Sequence, residues 1–445
     1  MNSVLIVGAG VCGLTLADSL QSSGYRVTIL ERESEVGGLS RTFRYGDFIF
    51  DIGPHRFFSE NPEVTRIIDR SLGDAQHLIP RHSAVYYLKK YHTWPLRLKS
   101  VGLLPPGIAL RACFDLLVKN YIYKDNTTFK GYVLRKYGKV LYETFFREYS
   151  EKFLGLDPAQ THWHWAKTGV ERATISNQIT TGSLLSLFKL MLLPEPKQLD
   201  FIYPPRGCDA FCRNLAKKVT KAGGEIHLAS SPQKITRQDD KITEVEFSGG
   251  KIRPDLVVWS ASLLDLAGLL ELPEPGLAYL DLLLFNLELT EQPLQDFQWC
   301  YYGEKGLVFS RVTNPKFFSP QLIPQGRGGI CVEVTCRRGD EKWEHPELLA
   351  PLIIEELVKV KTLKNAQTVK AVHIEKVRDA YPIYDLHYQE KLETLNAELA
   401  NFSNLVTAGR TGLFWYNNMD HSIENALEMA ESIKRRIPSA QRVKS

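Results

Sequence analysis

Residues 4–33 read VLIVGAGVCGLTLADSLQSSGYRVTILERE. Four apolar residues, 4–7, run straight into Gly8-Ala9-Gly10-Val11-Cys12-Gly13. Leu14, Leu16, Ala17 and Leu20 then recur at helical spacing, Gly24 marks a stop, and residues 26–30 read as a second strand ending at Glu31. The opening could pass for the apolar core of a secretory leader, but a leader carries a basic stretch ahead of that core, and Met-Asn-Ser has no charged side chain. The pattern is instead a strand–helix–strand unit with GxGxxG at its first turn. Gly8 permits the tight turn, Gly10 lets backbone approach a pyrophosphate, and Gly13 lets helix and strand pack closely. The N–H groups of Val11 and Cys12 open the helix toward phosphate. Glu31, with Arg32 beside it, lies 18 residues past Gly13, where an acid accepts from ribose hydroxyls. The stretch predicts a dinucleotide site.

The chain has 445 residues, too many for one core, so two or three domains are expected. It is 44% hydrophobic and 24% charged, which excludes a disordered or fibrous class. A formal charge of +4 is small for this length and gives no argument for nucleic acid, although it suits phosphorylated substrates. Seven cysteines, without CxxC or neighbouring His spacing, imply neither a metal site nor a disulfide framework, and point to a reducing cytoplasm. No uncharged apolar run reaches 18 residues, so no membrane span is expected. Residues 183–193, SLLSLFKLMLL, come nearest. They read first as a buried core helix and second as an apolar flap touching a membrane surface or a polyprenyl tail, so peripheral membrane contact stays open.

Beyond Glu31 the chain continues to Gly37-Gly38-Leu39-Ser40-Arg41. This resembles the extended fingerprint of the glutathione-reductase-type FAD superfamily, in which a Gly-Gly pair followed by Arg lies along the same pyrophosphate. Two glycines leave more backbone N–H groups open, and Arg41 adds a charged fork. Near the other end, residues 405–410 read as a strand ending at Gly409-Arg410, followed by a loop and a helical pattern from His421 with Asp420 as N-cap. In such proteins this passage returns to the cofactor. The resemblance implies FAD, and one domain built from both ends of the chain. Strands at 223–228, 242–252 and 255–260 are expected to cover its adenosine end.

A narrower resemblance runs over nearly the whole chain, to UDP-galactopyranose mutase and related flavoproteins labelled protoporphyrinogen-oxidase-like or amine-oxidase-like. Asp51-Ile52-Gly53-Pro54-His55 is similar to the D-x-G-x-H stretch beside the isoalloxazine. Residues 149–158, Tyr-Ser-Glu-Lys-Phe-Leu-Gly-Leu-Asp-Pro, resemble Y-T-E-K-x-W-G-x-D-P. Ser310-Arg311 looks like the strand whose Arg holds a sugar-nucleotide diphosphate, and Tyr381-Pro382-Ile383 like the Y-Y-P-I stretch. Gly409-Arg410-x-Gly412-x-x-x-Tyr416-Asn417-Asn418-Met419-Asp420 resembles G-R-x-G-x-x-x-Y-x-x-M-D, the most specific match. Two departures stand out: Leu154 replaces the family's Trp, and Trp415 replaces a basic residue, which removes an aromatic platform and a charge.

The resemblance implies that Gly53, Pro54, His55, Asn418, Met419 and Asp420 join the cofactor site. It implies that Arg311 and Arg410 grip a diphosphate, and that Tyr381 and Tyr416 donate phenols to phosphate or sugar. Tyr149 and Arg172 are further substrate candidates, and His55 touches the flavin. No Ser-His-Asp order, paired carboxylates or HExxH appears, so flavin N5 is the expected reactive centre. Three activities stay open: a flavoenzyme oxidising or reducing a nucleotide- or lipid-linked sugar, a redox-neutral ring-contracting mutase, and an amine-oxidase- or desaturase-like enzyme on a hydrophobic small molecule. A flavin-bearing scaffold or sensor is the non-enzymatic alternative. The fold class expected is α/β. A Rossmann-like FAD domain comes from 1–76, 201–268 and 391–445, an antiparallel substrate sheet from 77–100 and 269–390, and a helical capping domain from 101–200.

Overall fold

A computed structural model of the chain describes residues 2–94, 106–169 and 200–436. Arg172 and residues 183–193 lie outside the described residues. The chain forms two compact units and passes between them four times: residues 1–78, 201–278 and 389–445 form one, and 79–200 with 279–388 the other.

The first unit is built on a five-stranded parallel sheet in the order Leu405–Thr407, Leu256–Trp259, Ser3–Val7, Arg26–Leu30, Glu225–His227. Two of its three inner strands, Ser3–Val7 and Leu256–Trp259, are buried along nearly their whole length, as strands covered on both faces must be. Leu5, Ile6, Val257 and Val258 have no exposed surface. The helix Val11–Gln21 makes the crossover between the strands Ser3–Val7 and Arg26–Leu30, and the long helix Met419–Arg436 packs beside it. A three-stranded meander spans Pro232–Gln238, Lys241–Phe247 and Gly250–Ile252, and a hairpin joins Thr42–Tyr45 to Phe48–Asp51. The expected strands of the middle segment appear, trimmed to Glu225–His227 and Leu256–Trp259.

The second unit holds a seven-stranded sheet in the order Val369–Pro382, Tyr279–Leu289, Gly328–Cys336, Arg311–Thr313, Trp299–Tyr302, Ser83–Tyr87, Lys90–Trp94. All neighbours are antiparallel except Trp299–Tyr302 with Ser83–Tyr87. Tyr279–Leu289 is buried at every residue because long strands flank it on both sides. Leu283, Phe285, Leu287, Val332 and Val334 form its core with Ile353 and Leu357 of the helix Leu349–Lys359. The helices Pro106–Ile122, Phe129–Leu141, Arg147–Leu154 and His164–Gly169 belong to this unit too.

Candidate active site

The three glycine-bearing segments converge on the first turn of the helix Val11–Gln21. Gly8 has φ +105°, and a Cβ there would meet Ser260 Oγ at 2.7 Å. A Cβ on Gly13 would lie 2.0 Å from the Gly8 carbonyl oxygen, so helix and strand touch through bare backbone. Gly10 behaves differently. Its backbone is extended, and a Cβ would meet nothing nearer than 3.9 Å, so its glycine keeps space open rather than relieving a clash. No side chain caps the helix at Gly10 and its first turn holds no acid, which leaves the N-terminal N–H groups around Val11 and Cys12 for an anion. Gly37, at φ +123°, donates its N–H to the Ala9 carbonyl at 2.9 Å, which lays Gly38 and Leu39 alongside that turn.

Glu31 is buried, and its carboxylate accepts from the N–H groups of Ala9 at 2.6 Å and Glu33 at 3.0 Å. Burial pushes its carboxyl up against the pull of those two bonds. Each oxygen retains a second lone pair of the kind a ribose hydroxyl needs. Arg41 donates to Glu33 at 2.7 Å and to the Gly38 carbonyl at 3.1 Å, so it braces the glycine loop. Arg32 turns instead to Glu33 at 3.3 Å and Asp265 at 3.8 Å on the surface.

The C-terminal return completes the cradle. Gly409 has φ +76°, a Cβ there would lie 2.9 Å from that of Cys12, and its N–H donates to Asn425 Oδ1 at 2.9 Å. Burial raises the Cys12 thiol to about 12, which keeps it protonated and chemically quiet. Arg410 donates to the Asn417 carbonyl and lies over the Tyr416 ring at 4.7 Å. Asn417 is buried and its Nδ2 has no hydrogen-bond partner, an orphaned donor open to an acceptor on a ligand. The last helix begins at Met419 rather than His421, so Asp420 sits in its first turn and is not the N-cap. Exposed Asn418 precedes it, and Trp415 stacks on His421 at 5.4 Å.

Gly53, at φ +68°, turns the chain into Pro54 and His55 above a buried carboxylate. Asp51 accepts from Thr42 Oγ1 at 2.5 Å, Tyr203 OH at 2.5 Å and the Cys208 N–H at 3.0 Å. Burial raises its carboxyl to about 6, with the three bonds opposing. An unfolded aspartate titrates near 4. The stability this group contributes is therefore fully present below about pH 4 and lost as pH rises through about 6, on the order of 3 kcal/mol. Asp51→Asn is expected to flatten the fall in Tm between those pH values; an unchanged slope would assign the titration to another group.

In the second unit, Arg311, Tyr149 and Tyr381 come together. Arg311 faces Glu333 across the pairing of Arg311–Thr313 with Gly328–Cys336. Its Nε and Nη2 reach the two carboxylate oxygens at 2.5 Å each, and Nη2 also donates to Tyr381 OH at 3.2 Å. Burial alone would lower this guanidinium; Glu333 and Tyr381 outweigh it and hold the charge firmly. Tyr149 meets Tyr301 edge-on at 5.8 Å and stacks on Phe153 at 5.7 Å, and Phe153 meets Tyr381 edge-on at 5.0 Å. Most of the Arg311 fork is thus spent on Glu333, leaving chiefly Nη1 for an anion. Leu154 is fully buried, a packing residue where an aromatic platform is absent.

Residues 11–283 match the family described as flavin containing amine oxidoreductase. The chain belongs to that family. FAD is its cofactor, and the open space at Gly10, the uncapped helix and the orphaned Asn417 amide fit it. Among relatives of this flavin family, the probable UDP-galactopyranose mutase of Klebsiella pneumoniae is 29% identical over 36% of this chain and 42% of its own length. The 1-hydroxycarotenoid 3,4-desaturase of Flavobacterium sp. (strain P99-3) is 22% identical over 58% of this chain and 56% of its own. The chain thus spans less than two thirds of these curated relatives. A crystal structure of reduced UDP-galactopyranose mutase superimposes with TM-score 0.83 at 20% identity, covering 98% of this chain and 96% of that one, a likeness of fold.

Sequence reasoning passed over Glu333, Asn417 and Asn425. Glu333 had a signal, a lone acid inside the apolar run Gly-Gly-Ile-Cys-Val-Glu-Val. Asn417 and Asn425 had none, because an amide among polar neighbours is indistinguishable until the loop closes.

Proposed function

We propose that the chain is a flavoenzyme acting on a glycosyl diphosphate, a nucleotide- or lipid-linked sugar. The observation that carries this reading is Arg311 set with Tyr381 among Tyr149 and Tyr301: Glu333 offsets the guanidinium charge, but the remaining Nη1 donor and phenols beside aromatic faces suit an oxygen-rich ligand better than an amine. The local identity to a sugar-nucleotide mutase points the same way. When bound, FAD supplies hydride chemistry and, in its reduced form, a nucleophilic ring nitrogen. The chain's own residues bind and orient: in one unit Arg410 and Tyr416, and in the other Arg311 through Nη1 and Tyr381, are the donors offered to phosphate or sugar, and His55 stands by the Gly53 turn as a polar contact. A second reading, oxidation of a hydrophobic small molecule, draws on the family and on the desaturase relative.

Incubating the holoprotein with UDP- and dTDP-sugars, with and without dithionite, separates these. Product formed only with dithionite and without net flavin oxidation supports a redox-neutral mutase. Turnover that consumes an electron acceptor supports an oxidoreductase on the same sugars. No turnover of any sugar diphosphate, with oxidation of an amine or polyene, would overturn the reading. Arg410→Ala is expected to weaken sugar-diphosphate binding by roughly tenfold or more with flavin content unchanged; loss of flavin instead would assign Arg410 to the cofactor.

A further inference from the structure

The helix Pro106–Ile122 is inside out. Its inward residues are Ala112, Asp115 and Lys119, while Leu110 is 74%, Phe114 66% and Tyr121 81% exposed. With half-buried Leu117, these follow the i, i+4, i+7, i+11 spacing of a single helical stripe. In an ordinary surface helix that stripe faces the core.

The polar inward face has a structural cause. The neighbouring helix Phe129–Leu141 breaks at Gly138, which has φ +82°. The break leaves backbone groups without helical partners. Asp115 accepts the Val140 N–H at 2.8 Å, and Lys119 donates to the Arg135 carbonyl at 2.8 Å. A Cβ on Gly138 would lie 2.6 Å from Asp115 Oδ2, so the acid is seated against the break itself. Two charged residues four apart thereby anchor the helix through its polar side and hold the apolar stripe outward. Such an anchor costs burial of both charges, and packing alone gives no reason to prefer it over an apolar face.

Charge around the stripe selects its partner. Residues 106–141 contain seven Lys or Arg and two Asp, an excess of five positive charges where the whole chain carries +4. Arg111, Lys124 and Lys130 are exposed. Among the described residues no helix is long and apolar enough to cross a membrane. An apolar stripe with exposed aromatic residues, on a segment with a net basic charge, is the composition of a helix that lies in the plane of a lipid–water interface.

We propose that this helix pair docks the protein on an anionic lipid surface, with Leu110, Phe114, Leu117 and Tyr121 entering the interface and Arg111, Lys124 and Lys130 meeting headgroup phosphates. The proposal stands independently of which substrate the flavin site takes.

The test is co-sedimentation of the holoprotein with vesicles of phosphatidylcholine alone and of phosphatidylcholine mixed with phosphatidylglycerol. Binding to the mixed vesicles, weakened by salt and much lower on phosphatidylcholine, is expected. The variant Leu110→Ser/Phe114→Ser/Tyr121→Ser should bind at least about tenfold more weakly with unchanged Tm, because exposed side chains contribute little to folding. Arg111→Glu/Lys124→Glu should lose the preference for anionic vesicles, since each basic residue near such a surface contributes about fivefold. Wild-type protein that stays in solution with the mixed vesicles overturns the proposal. So does a triple variant that loses several degrees of Tm, which would mean that the stripe is packed within the fold. A lipid-free dimer that the triple variant breaks would assign the stripe to a second copy and overturn it equally.

Discussion

Glu333→Ala is expected to destabilise the protein by about 3–5 kcal/mol, the cost of stranding a buried charge whose partner has gone. Glu333 is fully buried, and the Arg311 side chain is only 13% exposed, so little water can replace the lost carboxylate. The remaining neutral bond to Tyr381 cannot carry that charge alone. Denaturant unfolding of the holoprotein measures the effect, and a loss under about 1 kcal/mol would mean that the pair is far better solvated than its burial indicates. The double variant Arg311→Leu/Glu333→Leu is expected to recover most of the stability, because an apolar pair of similar volume often matches a buried ion pair. That double variant also separates roles. If Arg311 holds substrate phosphate as well as Glu333, it will fold, bind FAD and fail to bind substrate.

Gly10→Val is expected to yield a folded, colourless protein that titration with FAD does not convert to the yellow form. The extended backbone at Gly10 accepts any residue, and a Cβ meets nothing within 3.9 Å, so the fold has room for the side chain where the pyrophosphate does not. Gly13→Ala is the contrasting control: its methyl would overlap the Gly8 carbonyl at 2.0 Å, and overpacking of rigid backbone costs about 3 kcal/mol or more. The first variant should keep its thermal transition and lose flavin absorbance; the second should lose the transition. A yellow Gly10→Val protein would show that the pyrophosphate lies elsewhere.

The first strand–helix–strand unit was legible because Gly8 and Gly13 are required by local backbone geometry, which sequence encodes directly, and Gly37 and Gly409 mark the segments that join it. Gly8, Gly13, Gly37 and Gly409 each sit where a Cβ meets a neighbour within 3.1 Å. The pairing of Arg311 with Glu333 was not legible, since it follows from strand register between residues 22 positions apart. The same is true of Asp51, whose acceptor role needs Tyr203 and Cys208 from a segment more than 150 positions away. Asp420 was misplaced by one turn boundary, where helix ends are always least certain from sequence. The outward stripe of Pro106–Ile122 was hidden for another reason: apolar periodicity marks a face without saying which side of the helix the protein occupies.

The flavin unit is stitched from three stretches, and its sheet places Leu405–Thr407 beside Leu256–Trp259 and Leu256–Trp259 beside Ser3–Val7. This order has a consequence for biosynthesis. The glycine turn is translated well before Ser260, Gly409 and Asn425, which close around it. At roughly 5–20 residues per second, the nascent turn waits on the order of 20–80 s for its last partners. Throughout that interval an apolar strand edge stands unpaired, a risk that falls on chaperones rather than on the cofactor. Flavin can then act only as a final lock, so riboflavin starvation should leave full-length apoprotein in the cell rather than arrested fragments.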